Sequence, residues 1–239
     1  MGGRKYIFER DDGVAQTFNW HKEAEKQWND RAEMWNSKSR VMWDDGSRST
    51  IIPFLTKHIS KGKVADLGCG DGYGSYLLYK SGFDVTGLDL SEDMVRRANE
   101  RVNDERISFV QGDLTNLPFQ DESFDAAMAI NSLEWTEVPY KGLEEMKRIL
   151  KPGGRLCVGL LGPTAMPRIN SYRRVYGEEV ICNTMMPWEL QKMADETGWS
   201  YVDGQGVYKR GVEDHHIAEL DEELKQALTF MWIFIFEKQ

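Results

Sequence analysis

The run that most narrows what this chain can become is Val64-Ala65-Asp66-Leu67-Gly68-Cys69-Gly70-Asp71-Gly72-Tyr73-Gly74. A short apolar stretch ends in an acid, and glycines then fall at every second position. Ser75-Tyr76-Leu77-Leu78-Tyr79 follows at once with helical amphipathicity. The pattern predicts a strand, a tight turn and the start of a helix. Glycine lets the backbone turn sharply there and lets a ligand approach it, because no Cβ stands in the way. In a doubly wound sheet this first turn is where nucleotide-like ligands sit.

The acids decide what kind of ligand. A dinucleotide fingerprint, G-x-G-x-x-G, sets a pyrophosphate on the helix N-terminus. Here the order is D-x-G-x-G-x-G, with Asp66 before the glycines and Asp71 among them. Two carboxylates repel a pyrophosphate and suit a phosphate-free ligand with a cationic part. S-adenosylmethionine (SAM), with its adenosine, sulfonium and ammonium groups, has that character. About twenty residues further on, an acid is expected at the end of the next strand to hold ribose hydroxyls. Asp84-Val85-Thr86-Gly87-Leu88-Asp89-Leu90-Ser91 supplies Asp89, and Ser91 reads as the N-cap of a helix over Glu92 to Arg101. A third strand, Ile107 to Gln111, runs into Gly112-Asp113-Leu114. There Asp113 can accept from an adenine amine and the Leu114 N–H can donate to the ring. Phe124 to Ile130 reads as a buried strand running into the site. Ile149-Leu150-Lys151-Pro152-Gly153-Gly154 reads as a helix end and a turn before a fifth strand.

These five pieces, in this order, resemble the class I SAM-dependent methyltransferases, and most of all the branch that makes ubiquinone and menaquinone. The resemblance covers residues 60 to 160 firmly and 185 to 239 loosely. It implies that Gly68, Gly70, Asp89, Asp113 and Leu114 bind SAM, and that Asp66, Cys69, Leu90, Gly112 and Ile130 line the same pocket. It implies an α/β fold, a Rossmann-like three-layer sandwich. The sheet would have seven strands, mostly parallel, with an antiparallel last strand.

The rest of the chain fits around that sheet. Asn19 to Trp43 is helical in pattern, with Trp28, Ala32 and Trp35 near one face. Such aromatics either pack the helix or cap the SAM pocket. On the second reading Trp35 faces the cofactor and Arg40 meets its carboxylate. The expected division is an N-terminal arm and helical cap over 1–48 and a methyltransferase domain over 49–239. The stretch 163–187 is too long for an ordinary connection and reads as an insert at the substrate edge. Tyr6-Ile7-Phe8 is a candidate short strand. Further expectations are a helix restarting at Pro187, a strand over Trp199 to Tyr208, a helix within Glu213 to Ala227, and a last apolar strand from Phe230 to Phe236.

SAM carries an activated methyl group, so alignment and exclusion of water matter more than a base. No catalytic residue is fixed by the sequence; Glu134, His215 and Tyr172 are the candidates. Asp214-His215-His216 lacks a further spaced ligand, so no metal site is expected. The acceptor is expected to be a small molecule. The net charge of −9 argues against nucleic acid. So does Asn131-Ser132-Leu133-Glu134, which stands where amino-methylating DNA enzymes carry Asn/Asp-Pro-Pro-Tyr/Phe. Methylation of protein or RNA, a nicotinamide oxidoreductase and a non-catalytic SAM binder are the alternatives. Met1 to Arg10 has no apolar signal region, and the longest apolar run is shorter than the ~20 residues of a membrane span. With three cysteines out of metal or pairing motifs, the expected location is the cytoplasm.

Overall fold

The computed structural model describes residues 18–239; the candidate strand at Tyr6-Ile7-Phe8 lies outside them. Strands β1 (Lys63–Leu67), β2 (Asp84–Asp89), β3 (Ile107–Gln111), β4 (Phe124–Ile130), β5 (Leu150–Leu161), β6 (Trp199–Tyr208) and β7 (Thr229–Lys238) form one sheet. Its order is β3-β2-β1-β4-β5-β7-β6. The first five strands are parallel to one another, and β7 runs antiparallel between β5 and β6. The expected fold class is therefore present, including the antiparallel last strand.

Helices cover both faces: α1 (Trp20–Asp44), α2 (Ile51–His58), α3 (Tyr73–Lys80), α4 (Glu92–Arg101), α5 (Pro139–Ile149), α6 (Pro187–Glu196), α7 (Asp214–Ile217) and α8 (Glu222–Ala227). The strand period of two sorts the core. Val64, Ala126, Met128, Ile233 and Ile235 pack with Ile51, Leu55 and Leu78 of α2 and α3. Ala65, Leu67, Ala127, Ala129, Phe234 and Phe236 pack with Leu143, Met146 and Leu190 of α5 and α6. Strands β4 and β7 are buried on both faces, which is why they read as unbroken apolar runs.

Two expectations change in detail. Pro152-Gly153-Gly154 is not a turn ahead of β5 but a bulge inside it. Phe124 pairs with Leu150 while Ala126 pairs with Arg155, so the longer strand loops out, with Gly153 at φ +70°. The region Glu213 to Ala227 is two short helices, α7 and α8, rather than one. Asp221 caps α8 by accepting from the Leu224 amide and so restarts the helix.

Helix α1 lies over the carboxyl edge of the sheet and is docked largely by polar ties. Ser39 donates to Asp71 (2.7 Å), Asn36 accepts from Arg101 (3.2 Å), and Tyr73 donates to Asp44 (2.9 Å). Asn29 accepts from Ser91, the residue that caps α4. At its C-terminal end Trp43 rests on Gly74 of α3, where an added Cβ would stand 2.4 Å from the indole.

Below the loop, buried Asp66 accepts from Ser75 Oγ of α3 at 2.5 Å. Burial pushes its carboxyl up to about 7, since an ion loses hydration there.

Two outcomes follow for stability. Gly74→Ala, normally favourable in a helix, should here destabilise by about 1–3 kcal/mol in urea unfolding through overpacking, with partial recovery when Trp43→Leu is added. A neutral or stabilising result would show that Trp43 moves aside freely. The raised Asp66 pKa gives stability that is complete below about pH 4 and declines as pH rises through about 7. Asp66→Asn should remove that decline, up to about 4 kcal/mol between pH 4 and 8. Identical pH profiles for the two proteins would refute the burial account.

Candidate functional site

The carboxyl ends of β1, β2, β3 and β4 converge beneath α1. Gly68 follows β1 at φ +79°, and a Cβ there would stand 2.5 Å from Ser132 Cβ. The Gly68 and Cys69 amides both donate to Leu88 O, at 2.7 and 2.9 Å, which folds the loop against the end of β2. Asp89 completes the tie. Its Oδ2 accepts from the Gly70 amide (2.8 Å) and its Oδ1 from the Ser91 amide (2.9 Å). Burial still raises the Asp89 carboxyl above its usual range, against the pull of those amides. Each oxygen keeps a second lone pair for a hydroxyl donor.

Around this tie is a cavity of about 90 Å³ lined by Trp35, Gly68, Gly70, Asp89, Leu90, Gly112, Asp113, Leu114 and Ile130 among others. Nine of the twelve residues expected at the cofactor thus meet at one place. Asp113 is turned by Thr115, whose amide and hydroxyl both donate to Oδ1 (2.8 and 2.9 Å). Its Oδ2 lies 3.0 Å from His21 Nδ1 on α1.

The other three stand apart. Asp66 is behind the loop, held by Ser75. Cys69 is buried, with its Sγ turned to Gly70 O at 3.6 Å, and burial raises its thiol pKa. Arg40 points to solvent and pairs with Asp44 at 3.3 Å. At about 100° per residue it sits about 140° around the helix from Trp35, so the two cannot share a target.

The guanidinium at the cavity belongs instead to Arg48, in the turn after α1. It is 7% exposed and stacks over Trp35, 4.5 Å from the ring centre. The one hydrogen-bond partner of its side chain among the described residues is Asn131 Oδ1, at 3.4 Å. Burial lowers its pKa to about 10, opposed by Glu134, Asp71 and Asp66. The sequence signal for Arg48 was weak: a lone cation in Gly46-Ser47-Arg48, outside any motif. Also unforeseen at the cavity are Trp20, His21, Asn131 and Ser132. Asn131 takes φ +52° at the end of β4, a conformation asparagine tolerates better than most residues. Ser132 Oγ is buried without a hydrogen-bond partner among the described residues.

None of the catalytic candidates lines this cavity. Glu134 is fully buried beside it. Its Oε1 accepts from the Leu161 amide (2.7 Å) and Asn131 Nδ2 (3.2 Å), so it braces the ends of β4 and β5. Tyr172 is 51% exposed and hydrogen-bonds Tyr176. His215 is exposed on α7, 3.4 Å from Glu213.

A second cavity of about 370 Å³ adjoins the first. Trp28, Trp35, Arg48, Asn131 and Trp135 line both. Trp28 makes edge contacts with Trp35 and Trp135, at 6.0 and 5.3 Å between centroids. Met166, Pro167, Ile169 and Asn170, from a 3-10 helix over Met166–Tyr176, form the far wall.

The architecture can be tested for SAM on its own features. The loop has no side chain where a ligand would approach Gly68 and Gly70. A fixed carboxylate ends β2, a buried hydroxyl at Ser132 lacks a partner among the described residues, and both carboxylates and a guanidinium, Arg48, stand near the glycines. These suit a phosphate-free nucleoside with a cationic group.

Comparison with known proteins agrees. Residues 65–158 match the family model described as "Methyltransferase domain". The demethylmenaquinone methyltransferase of Clavibacter sepedonicus is 37% identical over 140 residues, 58% of this chain and 55% of that protein. The biotin biosynthesis bifunctional protein BioHC of Teredinibacter turnerae is 32% identical over 177 residues, 68% of this chain and 30% of that protein. The chain thus spans about a third to a half of the length of these relatives. An S-adenosylmethionine-dependent methyltransferase from Mesorhizobium loti superposes with a TM-score of 0.64 at 20% identity, covering 82% of this chain and 99% of its own; that likeness speaks for the fold. Residues 65–158 thus match the methyltransferase-domain model, and the chain has the fold of the class I SAM-dependent enzymes.

Proposed function

We propose that the chain is a SAM-dependent methyltransferase acting on a small molecule. The observation that carries this is Asp89, fixed by two backbone amides at the mouth of a glycine loop that holds no cation for a phosphate. In this reading Asp89 accepts from the ribose hydroxyls and Asp113 from the adenine amine, with the Leu114 amide beside it. Gly68 and Gly70 admit the methionyl part, and Arg48 rather than Arg40 meets its carboxylate. Leu90, Gly112, Ile130 and Trp35 wall the pocket, while Asp66 and Cys69 support the loop from behind.

SAM supplies an electrophilic methyl group on a sulfonium. The protein's share is to align the acceptor and exclude water, and positioning can supply about 7–11 kcal/mol in favourable cases. Glu134 acts as a brace and not as a base, since neither cavity reaches it. Tyr172 and His215 are likewise outside both. The second cavity is of a size that takes small ligands, which supports a small acceptor over a protein or RNA. Relatives named for demethylmenaquinone and 27-O-demethylrifamycin SV support the same class of acceptor. Helix α1 serves as the cap and 163–187 as the substrate-edge insert. No helix among the described residues is long and apolar enough to cross a membrane, and three buried free thiols suit a reducing cytoplasm.

Titration calorimetry should show SAM and S-adenosylhomocysteine binding while NAD stays silent. Asp89→Ala should weaken both ligands about 10- to 100-fold, or roughly 1–3 kcal/mol. Arg48→Gln should weaken SAM but leave 5′-methylthioadenosine, which lacks the amino-acid part, unchanged. NAD binding in place of SAM would sink the reading. Equal losses for SAM and methylthioadenosine would sink the Arg48 assignment alone.

A further inference from the structure

The second cavity has a charge pattern that the fold does not require. Along α1, Trp28, Arg31, Trp35, Lys38 and Met42 all line it. Their spacings of three and four residues place them on one stripe of the helix. That stripe alternates an aromatic or apolar side chain with a cation. Opposite stand Met166, Pro167 and Ile169, with Leu161 and Phe230 also in the lining. Met166 and Ile169 are 72% and 67% exposed, so apolar surface continues to the rim.

Among the described residues, three cations, Arg31, Lys38 and Arg48, line this cavity and no Asp or Glu does. The chain as a whole has 39 acids against 30 Lys and Arg, so chance would have put acids here. Some cations elsewhere are ion-paired, among them Arg101 with Asp71, Arg148 with Glu145, Lys151 with Asp125 and Arg155 with Glu237, and others are not. Neither Arg31 nor Lys38 has an ion-pair partner among the described residues. Arg31 instead lies over Trp28, 5.7 Å from the ring centre, and reaches Asn170 Oδ1 across the cavity at 3.4 Å. A guanidinium in that position offers its remaining donors to whatever enters.

We infer that the methyl acceptor is an apolar, aromatic-sized molecule bearing a carboxylate, whose anion is held by Arg31 and Lys38. The inference rests on the methyltransferase reading and adds the acceptor's class to it. The apolar body fills the space between Trp28, Trp35, Trp135 and the 166–170 wall. Arg48 is at the boundary with the first cavity and is taken there by the cofactor's carboxylate, which leaves Arg31 and Lys38 for the acceptor. The same cations repel a protonated amine, so the cavity selects by rejection as well as attraction.

The test uses biphenyl-4-carboxylate, its neutral amide biphenyl-4-carboxamide, and the cation of 4-(aminomethyl)biphenyl. Each is titrated into the full chain with S-adenosylhomocysteine present, followed by tryptophan fluorescence and calorimetry. The acid should bind at least tenfold more tightly than the amide, and the amine more weakly than either. In the Arg31→Gln/Lys38→Gln double variant the acid should lose at least tenfold, with the amide and S-adenosylhomocysteine unchanged. Equal binding of acid and amide, an acid-to-amide ratio untouched by the double variant, or no binding of either to a protein that takes S-adenosylhomocysteine would overturn the inference. Selective acid binding by a protein that does not take S-adenosylhomocysteine would keep the anion site and remove the cofactor reading. Failure of every ligand would remove both.

Discussion

The site depends on one crosslink, from the Gly70 amide to the Asp89 carboxylate. It joins the loop after β1 to the end of β2, and everything near the cavity is placed relative to those two points. With Gly68 and Cys69 on Leu88 O, the loop is pinned at three successive amides and cannot drift from the sheet. A carboxylate held by backbone donors stays ionised more readily than burial alone allows, so the tie keeps a hydrogen-bond acceptor at the cavity. An asparagine there would lose the charge, and a glutamate would push the loop outward.

Carboxylates crowd the loop. Beyond the burial that raises Asp66, Asp89 and Cys69 most, the Asp89 charge helps to raise Asp66, the Asp71 charge helps to raise Asp89, and all three acids help to raise the Cys69 thiol. The protein answers each differently. Asp66 sheds its charge near neutrality beside a serine hydroxyl. Asp71 takes Arg101 at 2.6 Å and Ser39. Asp89 takes backbone amides. This leaves a negative field around the glycines without three unpaired ions, and it draws Arg48 in from the turn after α1. The field and the arginine together favour a ligand of mixed charge over a polyanion.

Much of this was legible in the sequence. Alternation of strand and helix signals, the glycine run and the acids at strand ends mark the fold and the β-strand side of the cavity, because those residues act through backbone geometry at fixed spacing. The α1 side was harder to see. Trp35 could be chosen from its stripe, but Arg40 could not be told from Arg48. The difference lies in how the chain turns after the helix, a tertiary matter. His21 beside Asp113 and Trp20 bonded to Trp135 O at 2.7 Å join segments over ninety residues apart, and no local pattern encodes them. Glu134 looked like a base because it follows β4. Its role as a brace emerges only once Leu161 and Asn131 are seen donating to it.

The placement of β7 has a consequence for assembly. Among the described residues strand β6 has one neighbour in the sheet, β7, and β7 is also what fastens it to β5. During synthesis β6 therefore leaves the ribosome before its partner exists and carries an unpaired edge until Thr229 to Lys238 emerges. Strands β1 to β5 have each other and can collapse earlier with α2 to α5. The sheet thus closes in two stages, and the interval between them is when this chain is most open to mispairing with another copy of itself.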